Sequence, residues 1–187
     1  MTQITYVSVE FKYSDLLERI LYIHGLDSSP NPERIQILES MGHSVEALHL
    51  DYRNEPNSYG ILKAFALESE ISFLVGSSLG GMIGYWLGRE LGMGSVLFNP
   101  AIWIPRQQAG IPLEISGHAP NRTVIIGAED EVVDPQLSWE HFRNDQSAPL
   151  QQVVLWQGLG HQIDVDTFES AVWQCRHLRP VADSHLS

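Results

Sequence analysis

Ile71-Ser72-Phe73-Leu74-Val75-Gly76-Ser77-Ser78-Leu79-Gly80-Gly81 is the stretch that decides the fold. Ile71 to Val75 reads as a short apolar strand, and Leu79 to Leu91 reads as a helix. Between them lies Gly76-Ser77-Ser78-Leu79-Gly80, a G-x-S-x-G match in the strand–turn–helix context that gives the motif meaning. The turn is tight, so glycines stand where a Cβ would clash. It lifts the Ser78 hydroxyl above the sheet edge and aims the helix N-terminus and the Leu79 N–H at developing negative charge. A chemically silent Gly-Ser turn is the plain alternative, and the flanking strand and helix oppose it. A phosphate loop is a poorer reading, because no Lys-Ser/Thr pair follows the glycines. Gly80, Gly84 and Gly88 recur every fourth residue on one helix face. Arg89 and Glu90 argue against a membrane dimer, so this face reads as close packing on a sheet.

Outward from the elbow, short apolar runs alternate with helices. Ile20 to Ile23, Ser44 to Leu50, Ser95 to Phe98, Thr123 to Ile126 and Gln152 to Trp156 are strand candidates. Helices fit at Asn31-Pro32 to Met41, Tyr59 to Glu70, Pro135 to Asn144 and Asp164 to Leu178. Strands that are apolar throughout, separated by helices, indicate a parallel sheet covered on both faces. The fold class is α/β, three-layered, with about six strands. Right-handed crossovers then put every strand's C-terminal end on one edge, where ligands bind. Three segments stand apart. Thr5 to Phe11 alternates and suggests an extra edge strand within residues 1–15. The stretch 100–122, rich in Pro and Gly, reads as a lid-like loop. The tail, 181–187, reads as frayed.

At 187 residues, the chain has the length of one domain. Its 43% hydrophobic content supports a core and opposes disorder. Eleven Lys+Arg against 23 Asp+Glu give a net charge of −12, which excludes a phosphate-backbone binder and a polybasic membrane contact. No nucleic acid partner and no membrane span are therefore expected. The lone Cys175 points to a reducing compartment, and residues 1–11 lack signal-peptide features, so a cytoplasmic location is expected. No Cys/His cluster has metal spacing, so neither metal nor cofactor is expected.

A serine nucleophile needs a base, and the base needs an orienting acid. Among eight histidines, His161 follows the last strand on the correct edge, in Gly158-Leu159-Gly160-His161. His43 and His49 flank another strand, His141 and His177 belong to helices, His118 lies in the 100–122 loop and His185 in the tail. The acid comes from Gly127-Ala128-Glu129-Asp130-Glu131-Val132-Val133-Asp134, after the Thr123 to Ile126 strand. Asp134, directly before Pro135, is better explained as a helix N-cap. Glu129 and Glu131 read equally well as solvated charge, and Asp130 has the short, rigid side chain. The loop His24-Gly25-Leu26-Asp27-Ser28-Ser29-Pro30 follows the first strand and could offer the Leu26 N–H to an oxyanion. Ile102-Trp103-Ile104 could wall an acyl pocket or simply fill the core, and the residues leave both open.

Together, Tyr22 to Pro30, Val75 to Gly81, Asn99-Pro100-Ala101, Asp130-Glu131-Val132 and Gly160-His161 resemble the α/β hydrolases. Within them, the chain is most similar to the small bacterial YqiA/YcfP-like esterases, over roughly residues 20 to 178. The resemblance implies a hydrolase of minimal cap, without cofactor, acting on carboxylic esters or acyl thioesters. It also implies Ser78 as nucleophile, Asp130 as acid, His161 as base, and Leu26 and Leu79 as oxyanion donors. Trp103 and Ile104 are the substrate-binding candidates, with small apolar acyl esters as expected substrates. The alternatives are a C–C or peptide hydrolase using the same residues, and a non-catalytic binding module on the same fold. Nothing in the sequence fixes the oligomeric state.

Overall fold

The computed structural model describes residues 18–175. The expected edge strand at Thr5 to Phe11 and the tail 181–187 lie outside the described residues. Six parallel strands form one sheet: β1 Arg19–Ile23, β2 Ser44–Glu46, β3 Phe73–Ser77, β4 Gly94–Phe98, β5 Asn121–Gly127 and β6 Leu150–Trp156. Their order is β2-β1-β3-β4-β5-β6. The chain steps outward from β1 to β2, returns to β3, and then proceeds to the other edge. The order therefore reverses between β1 and β3, and that switch point is where an open α/β sheet forms a crevice.

Strand periodicity sorts the core into two faces. Leu21, Ile23, Leu97, Val124 and Ile126 point to one side. There they meet α2 (Ser58–Glu68), α3 (Leu79–Leu91) and α4 (Pro135–Asn144) through Leu62, Met82, Leu87 and Phe142. Ile20, Tyr22, Val75, Val96, Phe98 and Ile125 point to the other. They meet α1 (Pro32–Ser40) and α5 (Val165–Gln174) through Leu38, Phe168 and Val172. The result is the expected three-layer sandwich. Helix α3 is buried from Leu79 through Gly88. A Cβ on Gly84 would stand 3.1 Å from Leu97 Cδ2, and one on Gly88 3.0 Å from the Met93 carbonyl, so the glycine face is the packing face.

Local chemistry sets the helix starts. Asn31 Oδ1 accepts from the N–H groups of Glu33 and Arg34, with Pro32 at the first helical position. Asp134 Oδ1 accepts from Gln136 and Leu137 in the same way. Asp164 accepts from Thr167 and so precedes the helix that was expected to begin with it. Strand β2 stops at Glu46 rather than Leu50. Leu48 and Leu50 turn into the core, and the Leu50 N–H donates to His24 Nε2 instead of to a strand.

No residue of the 100–122 connection is among those lining the space beside Ser78. The connection contains a 3-10 turn, Arg106–Ala109, and buries Ala109, Ile111 and Ala119. It packs along α2 and α3: a Cβ on Gly110 would strike the Pro56 carbonyl, and one on Gly117 the Arg89 carbonyl. Among the described residues, no helix is long and apolar enough to cross a membrane.

Candidate active site

Ser78 sits at φ 56°, ψ −120°, a conformation L-residues adopt only under constraint. Its neighbours supply that constraint. The Ser78 N–H donates to the Phe98 carbonyl at 2.9 Å, and the Ala101 N–H donates to the Ser78 carbonyl at 3.0 Å. A Cβ on Gly80 would collide with the carbonyl oxygens of Ile23 and His24, and one on Gly76 with that of Gly80. All the obstacles are backbone atoms, so nothing can swing aside. Gly80→Ala is therefore expected to destabilise by at least the ~1–3 kcal/mol typical of overpacking. A thermal melt checks this, and an unchanged midpoint would contradict the geometry.

Three side chains singled out from separate loops meet above the sheet edge. His161 Nε2 lies 3.1 Å from Ser78 Oγ, and His161 Nδ1 lies 2.8 Å from Asp130 Oδ2. A carboxylate only accepts, so the ring proton belongs on Nδ1, leaving Nε2 to accept from the serine hydroxyl. The Asp130 side chain is 1% exposed and that of His161 16%. The second oxygen of Asp130 accepts from the N–H groups of Val132 and Val133, both at 2.8 Å. Asp130 is thus fixed at both ends, whereas Asp134 is committed to its helix. Glu129 and Glu131 are exposed.

Asn99 holds this arrangement together, a role its place in Asn99-Pro100-Ala101 did not reveal. At φ 43° it ends β4, buried, with its side chain between the two loops. Its Nδ2 donates to the Gly160 carbonyl at 2.9 Å and to that of His161 at 3.3 Å, while its Oδ1 accepts from the Gly127 N–H at 2.7 Å. Gly127 is needed there, since a Cβ would strike the Leu159 carbonyl. Asn99→Ala leaves buried groups in both loops unpaired, at about 1–3 kcal/mol each. It is expected to lower the melting temperature and to loosen His161.

His24 anchors the loop after β1. It is buried; Nε2 accepts from the Leu50 N–H at 3.1 Å and Nδ1 donates to the Gly25 carbonyl at 2.8 Å. Burial holds its pKa below the ordinary value, the Gly25 contact opposes this and His49 adds to it. Burial lowers His141 as well. In the folded protein both resist protonation, so the unfolded chain takes protons first. Stability should be full above about pH 6.5 and fall as the pH drops below it. Melting temperatures across that range check this, and His24→Gln should lose part of the slope.

A pocket of about 160 Å³ opens beside Ser78 and His161. Leu26 lines it, as do Ser28, Ser29, Asn31, Arg34 and Gln162. At the start of α3 the first N–H groups, Leu79 onward, have no acceptor within the helix, and the Ser78 side chain does not cap them. Trp103 and Ile104 do not line this pocket. Trp103 is 48% exposed in a separate groove against His141, and Ile104 packs against the core. The polar wall comes instead from the start of α1, and its Ser, Asn and Arg residues carried no periodic signal to mark them. Among the described residues, no group of three or more His, Cys, Asp or Glu is placed to hold a metal ion.

Residues 19–111 match the sequence model of UPF0227, an uncharacterised protein family. No curated protein matches the chain. Several solved structures share its fold. A monoacylglycerol lipase from Paleococcus ferrophilus is 16% identical, with a TM-score of 0.65 over 83% of this chain and 92% of its own. Esterase PE8 is 20% identical, with a TM-score of 0.63 over 87% of this chain and 93% of its own. A lidless α/β serine hydrolase from Xanthomonas campestris is 14% identical, with a TM-score of 0.60 over 89% of this chain and 85% of its own. The chain thus has the fold of the α/β hydrolases, and its residues 19–111 are similar to the UPF0227 family.

Proposed function

We propose that the protein is a serine hydrolase of carboxylic esters or acyl thioesters, working through an acyl-enzyme on Ser78. The observation that carries the reading is the relay of 3.1 Å and 2.8 Å from Ser78 Oγ through His161 to Asp130, set on a strained elbow. Ser78 attacks the acyl carbonyl as His161 Nε2 takes its proton. Asp130 holds the tautomer and stabilises the imidazolium. The N–H groups of Leu26 and Leu79 receive the oxyanion. His161 then protonates the leaving alcohol or thiol, and a water activated by the same ring releases the acid. No step requires a cofactor.

The pocket bears on substrate choice. Its volume is well below the ~300 Å³ at which drug-sized ligands begin to fit. Its wall is polar, so short acyl groups suit it better than long apolar ones. Arg34 is the cation in this wall; Nη1 donates to the Tyr22 hydroxyl at 3.2 Å, Nη2 donates to the Ile163 carbonyl, and Nε is buried without a partner. Among the described residues it forms no ion pair, which favours acyl groups ending in a carboxylate over neutral ones. This reverses the apolar preference expected from Trp103 and Ile104.

Fluorophosphonate labelling with mass mapping tests the nucleophile, and an unlabelled Ser78 would favour a non-catalytic binding module. A panel of p-nitrophenyl esters tests the pocket. Short esters should exceed long ones, and the hemisuccinate should exceed the butyrate. Arg34→Gln should abolish the second preference while leaving butyrate turnover within a few-fold of the parent protein. A hemisuccinate preference that survives Arg34→Gln would remove Arg34 from substrate binding.

A further inference from the structure

Helix α3 carries a second concave region, remote from Ser78. It has two lobes of about 550 and 560 Å³, both lined by Trp86, Arg89 and Arg106. At 1.5 Å per residue, Trp86 and Arg89 stand roughly 12 to 17 Å along the helix from Ser78. None of the residues around the Ser78 pocket lines either lobe. The volume suits an organic ligand of moderate size.

The charge arrangement is unusual for a chain of net charge −12. Arg53 pairs with Asp27, Lys63 with Glu90 and Arg122 with Asp145. Arg89 and Arg106 form no ion pair among the described residues. Both nevertheless lie over the same indole: Arg106 Cζ is 3.4 Å and Arg89 Cζ 5.0 Å from the Trp86 ring centroid. Three carboxylates line the region: Asp145 is already satisfied by Arg122, the Tyr85 hydroxyl and Ser147, and Glu114 in one lobe and Glu140 in the other form no ion pair with either arginine. Two like charges are therefore concentrated on one aromatic ring, with carboxylates nearby but none paired to them. Arg106 uses one side-chain nitrogen, donating from Nη1 to the Leu113 carbonyl. Arg89 makes one long contact, 3.4 Å from Nη1 to the Tyr85 hydroxyl, and its Nε is buried without a partner. Among the described residues, the other terminal N–H groups of both guanidiniums make no hydrogen bond.

Paired guanidinium forks fit the oxygens of a phosphate better than any neutral ligand. The adjoining lobe supplies a different chemistry. Trp103 and Leu137 are exposed there, next to the carboxylate of Glu140 and the amide of Asn144. That lobe suits a flat ring with polar edges and disfavours an anion. We propose that the groove binds a nucleoside phosphate, with its phosphates held by Arg89 and Arg106 and its base laid on Trp103. The protein's overall negative charge opposes anions only at long range. At physiological salt the screening length is about 8 Å, and the local guanidiniums decide.

Calorimetric titration of the whole protein with ADP, adenosine and inorganic phosphate at physiological salt tests the proposal. ADP should bind more tightly than either fragment. Arg89→Gln and Arg106→Gln should each weaken ADP roughly tenfold or more, the usual scale for a charged hydrogen bond. Trp103→Ala should weaken ADP but not phosphate. Arg143→Gln, which removes an exposed charge outside the groove, should change nothing, and Ser78→Ala should bind ADP as the parent does. Thermal melts verify that each variant folds. No heat with ADP at millimolar concentration overturns the proposal. So does ADP binding that ignores both arginine variants. ADP no tighter than phosphate removes the base contact and with it the nucleoside assignment. Ester turnover by Arg89→Gln should match the parent, which keeps this result separate from the fate of the Ser78 reading.

Discussion

Ser78→Ala is expected to abolish turnover of a p-nitrophenyl ester, with a loss on the order of 10⁶-fold in kcat. The melting temperature should hardly move. Among the described residues, Ser78 Oγ has one hydrogen-bond partner, His161, which is partly solvated and tolerates its loss. Alanine meets the same strain at φ 56° as serine, so the backbone gains no new penalty. Ser78→Gly separates the two contributions further. It should be equally inactive, yet it relieves backbone strain worth about 1–3 kcal/mol against the smaller entropic cost of a glycine. Its melting temperature should therefore equal or exceed that of Ser78→Ala. Residual turnover near the parent level in either variant, with contaminating esterase excluded, would falsify the nucleophile assignment.

The second large effect is expected at Asp130. Asp130→Asn should cut kcat by up to roughly 10⁴-fold, with little change in stability. The asparagine oxygen can still accept from Val132 and Val133, so the loop keeps its shape. Its amide, however, would face His161 Nδ1 as a donor. The ring must then carry its proton on Nε2, where it can no longer accept from Ser78. Asp134→Asn should be nearly silent, because asparagine caps a helix as well as aspartate does. Asp134→Ala should cost about 1 kcal/mol of stability and spare the rate. Steady-state kinetics and melts on the three variants decide it. Activity lost in Asp134→Asn and kept in Asp130→Asn would exchange the two roles.

What could be read from sequence follows from locality. Apolar runs between capped helices fix a covered parallel sheet, because a strand buried on both faces has no polar side to show. Helices α3 and α4 have the bounds their sequence announces, since Gly92, Asp134 and Pro135 act within one turn. The elbow is legible because a G-x-S-x-G turn between strand and helix is a contiguous device. The proximity of Ser78, Asp130 and His161 is the next step. It follows from parallel topology, which sends all three loops to one edge.

Other features are set by residues far apart in the chain. Asn99 joins Gly127 to Gly160, and no spacing rule marks an asparagine for that work. Trp103 is apolar and near the elbow in sequence, yet the 100–122 connection packs along α2 and α3 and carries it away from Ser78. Arg34 and Asn31 reach the pocket because α1 folds back beside β1. Arg89 and Arg106, though 17 positions apart, converge on Trp86. Periodicity, caps and turn chemistry act over a few residues, so the layers, the strand edge and the elbow are legible in the residues themselves. Which side chains line the pocket beside that edge, and which groove gathers arginines outside any ion pair, depends on how distant segments pack, and no local rule reaches that far.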